Sequence, residues 1–399
     1  VVAQHRKDNA LQKTKRKGKG MTQTSTLAGA SSSGPTLRQS AGPRLGPDDA
    51  AAFGAELDAL RMRVMSDLGE RDERYIRRML RIQRSAEIGG RLSLFLGFNP
   101  VAWCLGVALL SLSKILDNME IGHNVMHGQY NWTNDPKLRG KSFEWDSACP
   151  GDQWRHSHNY IHHHYTNILG KDRDVGYGIL RMADEQPWKP KHLFQPFRAF
   201  IMMLIFEWGV AMHDLEMDRL RAGEISWQTV RPRFWQSMRK MGRQGLKDYV
   251  IFPLLAWPIF GSVLLGNLAA NLIRNIWAFV IIFCGHFTDD VVMFTEEETR
   301  DESRGQWYVR QLLGSSNISG PRWFHILSGH LSHQIEHHLF PNMPAHRYAE
   351  IQPEVEALCR RYNLPYNIGG LGTQFAAVVR RILRLSLPAF GKPQASALA

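Results

Sequence analysis

From residue 50 to residue 88, charged and apolar residues alternate at helical spacing. Leu57, Leu60, Val64 and Leu68 line up as one stripe, which predicts an amphipathic helix. The pattern then changes. Residues 92–98 are an apolar run, Asn99-Pro100 breaks it, and residues 101–113 form a second run that Lys114 interrupts before Ile115 and Leu116. A membrane-crossing helix needs about 20 apolar residues. The second run nearly reaches that length and the first is short, so the pair predicts a hairpin in a bilayer. Residues 193–212 are apolar but hold Arg198 and Glu207, which predicts an interfacial or buried helix rather than a clean span. Residues 249–272 are almost wholly apolar, Ile273-Arg274-Asn275 predicts a turn, and residues 276–287 are apolar again. The expected fold class is all-α: a polytopic membrane protein with two transmembrane helical hairpins and a cytosolic helical cap built from the polar segments.

Composition adds the ends and the orientation. Residues 1–50 are rich in Ser, Gly, Lys, Arg and Gln, which predicts a disordered basic tail, with Met21 as the natural start. No apolar run follows the basic residues, which excludes a secretory signal. The domain reading is a tail over 1–50, a membrane domain with its cap over 51–355, and a C-terminal cytosolic helix and tail over 356–399. Net charge is +12, and mean hydropathy is −0.30, an average that hides the apolar runs. Such charge suits nucleic acid, anionic lipid or a phosphorylated substrate. Residues 214–248 interleave Arg and Lys with Trp227 and Trp235, as at a lipid headgroup boundary. No RNA-binding module surrounds them, so nucleic acid is set aside. Basic tails and loops fall on one side, which the positive-inside rule makes the cytoplasmic side of the inner membrane, with both termini there. The four cysteines, Cys104, Cys149, Cys284 and Cys359, are far apart and form neither a disulfide framework nor a zinc ribbon.

The polar segments carry the chemistry. In residues 154–167, five of fourteen are histidine. His158 and His162 share one helical face, and His163 is turned by about 100°, so one helix offers nitrogens to two neighbouring metal ions. His123 and His127 repeat the spacing of four. His333, His337 and His338 repeat the pattern of His158, His162 and His163, and Gln334 stands three before the final pair. One such pair is commonly packing or a solvated face; three matched clusters, each at or after the end of apolar runs, predict one metal site. No cysteine joins them, which excludes iron–sulfur and structural zinc. His-Glu-x-x-His is absent, and Glu120-Ile-Gly-His123 is the one Glu-x-x-His of the kind soluble di-iron bundles use. Eight or nine neutral imidazoles with open positions suit two iron ions that activate O₂ toward an unactivated C–H bond. By affinity order, copper stands beside iron.

His-x-x-x-His, His-x-x-x-His-His and a final His-x-x-x-His-His, also readable as Gln-x-x-His-His, resemble the three histidine boxes of membrane-bound fatty-acid desaturases. Asn118–Gly128 and His333–Pro341 are most similar to the actinobacterial acyl-CoA desaturases. The resemblance covers about residues 85–355. It implies His123, His127, His158, His162, His163, His337 and His338 as metal ligands, with His333 or Gln334 opening the third box. It implies a further ligand from the last apolar segment, His286, with His330 as the alternative. Asn124, Asn159, His164, Gln334 and Glu336 are implied partners around the ligands, and His156, His213, His325 and His346 are structural. The implied reaction is an O₂-dependent, di-iron desaturation that places a cis double bond, Δ9 favoured, in a long-chain acyl-CoA. The His-Pro-Gly-Gly signature of a fused cytochrome b5 haem is not found, which implies a separate NAD(P)H-dependent reductase or ferredoxin-type electron donor. Arg155, Lys171, Arg173, Lys189 and Lys191 are candidates for the phosphates of coenzyme A or for an acidic electron carrier. The rival readings are a front-end or linoleoyl-type acyl-lipid desaturase, a fatty-acyl hydroxylase on the same scaffold, and a histidine-rich metal transporter. The last would put ligands inside the spans.

Overall fold

The computed structural model describes residues 45–388. The tail expected over residues 1–50 therefore lies mostly outside the described residues, and its last part is helical: α1 runs over Pro47–Ser66. The single amphipathic helix expected over 50–88 is two. Leu68 lies in the intervening turn, and α2 starts at Glu70, where the Asp72 carboxylate accepts from the Gly69 amide at 3.0 Å. The stripe of α1 is buried at Phe53, Leu57, Leu60 and Val64, in one core with Tyr308, Leu312, Ile351 and Val355.

The helix α2 (Glu70–Phe95) turns into α3 (Pro100–Ile115), and the Asn99 side chain caps α3 by accepting from the amides of Val101 and Ala102. The two helices touch closely. A Cβ on Gly90 would lie 2.8 Å from the Leu110 backbone nitrogen, so glycine is what permits the approach. The helix continues beyond Ile115 without a break, and Pro100–Met126 is long and apolar enough to cross a membrane. Its stretch Leu116–His123 is wound as a π-helix, a local widening often found at functional sites.

The second candidate span is Trp257–His286, of which α8 (Phe260–His286) is the regular part. The turn expected at 273–275 is not there: these residues lie in the middle of α8. The polarity that suggested a turn has another cause. Arg274 meets Glu207, and Asn275 donates to the Leu204 carbonyl at 2.8 Å, so polar groups inside the bundle satisfy one another. The reversal before α8 falls at 256–259 instead, after α7 (Trp227–Leu246), which extends through the π-helical Lys247–Ile251 to Leu255. Between the spans, α5 (Gln195–Leu204) and α6 (Phe206–His213) meet at an angle of 100°, so residues 193–212 do not form one straight helix. Leu92, Phe98, Val101, Leu105, Leu255, Trp257 and Leu265 are exposed, an apolar surface of the kind that faces lipid.

The C-terminal part is built into the same body. The helix α9 (Arg304–Leu313) packs on α1, and α10 (Gln334–Leu339) carries the third histidine box. The boundary expected at 355/356 falls inside α11 (Tyr348–Arg361). A two-stranded parallel sheet joins Asn317–Ser319 to Ile368–Gly370, and α12 (Leu371–Ser386) buries Val378 and Ile382 in the core that holds Phe279 and Phe283 of α8. His123 lies near the C-terminal end of the first span and His286 ends the second.

Candidate metal centre

Three short stretches and one span end supply the imidazoles. His123 and His127 close the first span. The second box lies on a helix over 151–165, labelled α4, whose stretch Arg155–His162 is again π-helical. That wide winding puts His158, His162 and His163 on one side and leaves His156 and Tyr160 on the other. His337 and His338 come from α10, and His286 from the last turn of α8.

These side chains meet. Ring nitrogens of His123, His127, His158 and His337 all lie within 4.8 Å of one another, and so do those of His162, His286 and His338. A third group, His163 with His337 and His338, joins the first two. The His123 and His158 Nε2 atoms are 3.3 Å apart, and the His286 and His338 Nε2 atoms 3.2 Å apart. His127 Nε2, His337 Nε2 and both nitrogens of His163 are buried without a hydrogen-bond partner. Unpartnered buried nitrogens carry a cost unless something else binds them, and convergent imidazole lone pairs fit metal ions. Burial pushes the imidazoles of His127, His163, His337 and His338 well below their ordinary range, and neighbouring imidazoles push them further. They are therefore neutral, with free lone pairs, at neutral pH.

Five of these rings have a polar partner at the opposite nitrogen. His123 Nδ1 meets Asn124 Oδ1 at 3.1 Å, His162 Nδ1 meets the Asp172 carboxylate at 3.0 Å, and His338 Nδ1 meets Gln311 Oε1 at 3.0 Å. His337 Nδ1 is 3.4 Å from the Tyr348 hydroxyl, and His158 Nδ1 is 3.7 Å from Asp174. Such contacts fix the ring and leave Nε2 for the metal. Burial alone would lower the His162 imidazole, but Asp172 raises it above its ordinary value. Sequence reasoning missed Asp172, Asp174 and Gln311. Asp172 and Asp174 follow the end of the second box at His163 by nine and eleven residues, and their signal was an acidic pair in a polar loop. Gln311 on α9 gave none.

Other expected residues sit elsewhere. His333 is in none of the nitrogen groups among the described residues; its ring packs against His325 at 4.5 Å. Gln334 faces the cluster instead, donating to His286 Nε2 at 2.8 Å, which favours the Gln-x-x-His-His reading of the third box. His330 is anchored at 2.9 Å to Glu120 and belongs to none of the nitrogen groups among the described residues. Asn159 donates to the Met126 carbonyl and so ties the second box to the first rather than orienting an imidazole. Glu336 accepts from Asn317 and Tyr366, bracing α10 against the small sheet. His164 packs beside Tyr165 on the outer side of α4. Among the basic candidates, Arg155 donates to the Phe143 carbonyl, Lys171 pairs with Glu296, and Arg173 pairs with Glu216 and Asp218; Lys189 and Lys191 are exposed. Substitution of His333 by Ala is expected to keep both metal content and activity. Gln334→Ala is expected to lower activity about 10–100-fold, the usual range for an outer-shell partner; metal analysis and product assay on the two variants check the contrast.

A pocket opens from His123, His158, His162 and His286. Met119, Phe206, Val210, Ala278, Ile282 and Leu331 give it apolar walls, and Glu207, Arg274 and Asn275 also line it. Asn275 and His286 are eleven positions apart on α8, about 16 Å of helix. The pocket thus sets apolar walls beside the imidazoles, with Asp172, Asp174, His213 and Asp214 in its lining as well.

Fold and site together define a helical protein with membrane-length apolar helices and a histidine-built centre suited to metal. The profile of the fatty acid desaturase family matches residues 98–370. An NADPH-dependent stearoyl-CoA 9-desaturase of Mycobacterium tuberculosis is 44% identical over 344 residues, which cover 85% of this chain and 81% of that protein. An sn-1 linoleoyl-lipid 6-desaturase of Synechocystis is 25% identical over 69% of this chain and 78% of its own. An acyl-lipid (8-3)-desaturase of Mortierella alpina is 26% identical over 62% of this chain and 57% of its own. The chain belongs to the fatty acid desaturase family. It is an oxidoreductase of lipid metabolism.

Proposed function

We propose that this enzyme places a cis double bond at the Δ9 position of a long-chain acyl-CoA of the stearoyl type, at two iron ions. The convergence of the imidazoles beside a pocket with apolar walls carries this reading, and the identity to the mycobacterial stearoyl-CoA 9-desaturase supports it. In the reading, His123, His127, His158 and His337 hold one ion, His162, His286 and His338 hold the other, and His163 lies between them. Bound iron supplies the reduction of O₂ that drives removal of two hydrogens. The chain's own residues do the rest. Asn124, Asp172, Asp174 and Gln311 fix the rings, and the apolar walls bend and align the acyl chain. The packed core around α8 keeps bulk water from the reacting methylenes.

The centre lies on the cytoplasmic side of the inner membrane in this reading, supported by basic residues flanking the polar segments. Coenzyme A phosphates meet Lys189 and Lys191 at the water-exposed rim, and electrons come from a separate NADPH-linked donor. The test is product analysis with stearoyl-CoA, NADPH and a reductase system. A Δ9 alkene is expected. An alcohol at that carbon would make the enzyme a hydroxylase, and reaction of lipid-bound linoleoyl chains alone would make it a front-end type.

A further inference from the structure

The outer face of α4 is unlike an ordinary solvated helix face. Tyr160 is 57% exposed, and two imidazoles stack on it: His156 at 5.9 Å with ring planes 17° apart, and His164 at 6.4 Å with planes 13° apart. The three rings sit four residues apart and form one aromatic strip. The other side of the same helix carries His158, His162 and His163. A helix with its side chains is about 10–12 Å across, so the strip is separated from the proposed ligands by a single helix.

The ground beside the strip is cationic. Arg155 donates to the Phe143 carbonyl and Asn159 to the Met126 carbonyl, which seats α4 against the loop that follows the first box. That loop carries Lys137, Arg139 and Lys141, all exposed, and none makes an ion pair among the described residues. The acidic groups nearby are engaged: Asp135 by Arg77 at 3.0 Å, Glu144 by Lys240, and Asp152 by Gln236 at 2.8 Å. The loop seated against α4 thus carries positive charge without ion pairs among the described residues, and α4 itself an exposed aromatic anchor, the composition that recognises an acidic protein surface.

We infer that Lys137, Arg139 and Lys141 with the His156–Tyr160–His164 strip form the docking surface for an acidic, one-electron carrier protein that reduces the centre. The inference rests on the desaturase reading above. Converting one saturated pair of methylenes and O₂ into an alkene and two waters consumes two electrons and two protons from outside the chain. The carrier brings the electrons one at a time to α4. Fixed rings lose little side-chain freedom on docking, and charge complementarity speeds encounter.

The test uses the full-length enzyme in phosphatidylcholine nanodiscs with stearoyl-CoA. Reductant is either a [2Fe–2S] ferredoxin kept reduced by NADPH and its reductase, or dithionite. For the wild type, the KM for ferredoxin is expected to rise steeply with salt. The Lys137→Glu, Arg139→Glu, Lys141→Glu triple variant is expected to raise that KM at least about tenfold and to flatten its salt dependence. Tyr160→Ala is expected to raise it about tenfold. Dithionite-driven single turnover and the KM for stearoyl-CoA are expected to stay unchanged in both, which also reports that the variants fold. A ferredoxin KM within about twofold of wild type in either variant, or a shift in the stearoyl-CoA KM in its place, overturns the inference; the second outcome would assign the cations to coenzyme A phosphates. A wild-type enzyme that forms no alkene with either reductant overturns the desaturase reading and this inference with it.

Discussion

His338→Ala and His127→Ala are each expected to abolish desaturation and to lower the metal content of the protein, while the chain still inserts and folds. His338 is the stronger case. Its Nε2 lies 3.2 Å from that of His286, its Nδ1 is held by Gln311 at 3.0 Å, and it belongs to two of the nitrogen groups. Losing it takes a donor from the group with His162 and His286 and from the group with His163 and His337. His127 belongs to the other end, where its unpartnered Nε2 points among His123, His158 and His337. An outer-shell partner typically costs about 10–100-fold when removed, and loss of a ligand should exceed that. Asp172→Asn, which keeps shape but loses charge beside His162, is the matched control for the smaller effect. Iron analysis and product assay on membranes with equal protein content are the measurements. Full activity in either alanine variant would sink the ligand assignment.

The parts of this site that lie on helices at fixed spacing were legible in the sequence. His123/His127, His158/His162/His163 and His337/His338 are local patterns, and local patterns survive folding. The first member of the third box was not decidable, because two templates share the same final pair. Three-dimensional packing separates them: His333 turns toward His325, and Gln334 toward His286. Asp172, Asp174 and Gln311 lie outside the boxes, where spacing has no meaning, and only the fold brings them to the rings. The π-helical winding at both 116–123 and 155–162 was equally invisible, since hydrophobic periodicity assumes a regular helix. On the larger scale, the apolar runs located the two helices long and apolar enough to cross a membrane, but polarity inside a bundle was misread as a turn at 273–275. The same feature bears on Lys114, which the sequence shows only as an interruption of an apolar run.

Lys114 and Arg91 both converge on Asp248, each at 2.7 Å. The carboxylate also takes a hydrogen bond from Asn271, and the Asp248 carbonyl accepts from Asn267. Arg91 comes from α2, Lys114 from α3, Asp248 from the extension of α7 and the two asparagines from α8, so one acid joins four helices. All of these side chains are buried. Asp248→Ala would remove the carboxylate with which both buried cations pair. Breaking one partner of a buried pair costs about 3–5 kcal/mol, a large share of a typical total stability of about 5–15 kcal/mol. The variant is therefore expected to lose most of its monodisperse, detergent-solubilised protein and to melt well below the wild type. Removing all three charges together, as Asp248→Leu with Arg91→Met and Lys114→Met, is expected to recover most of that loss, because a buried ion cluster replaced by packed apolar side chains is often near neutral. Size-exclusion profiles and thermal melts of the two variants decide it. If Asp248→Ala melts with the wild type, the carboxylate does not hold the four helices together, and the cations find water or lipid phosphate where the structure shows them buried.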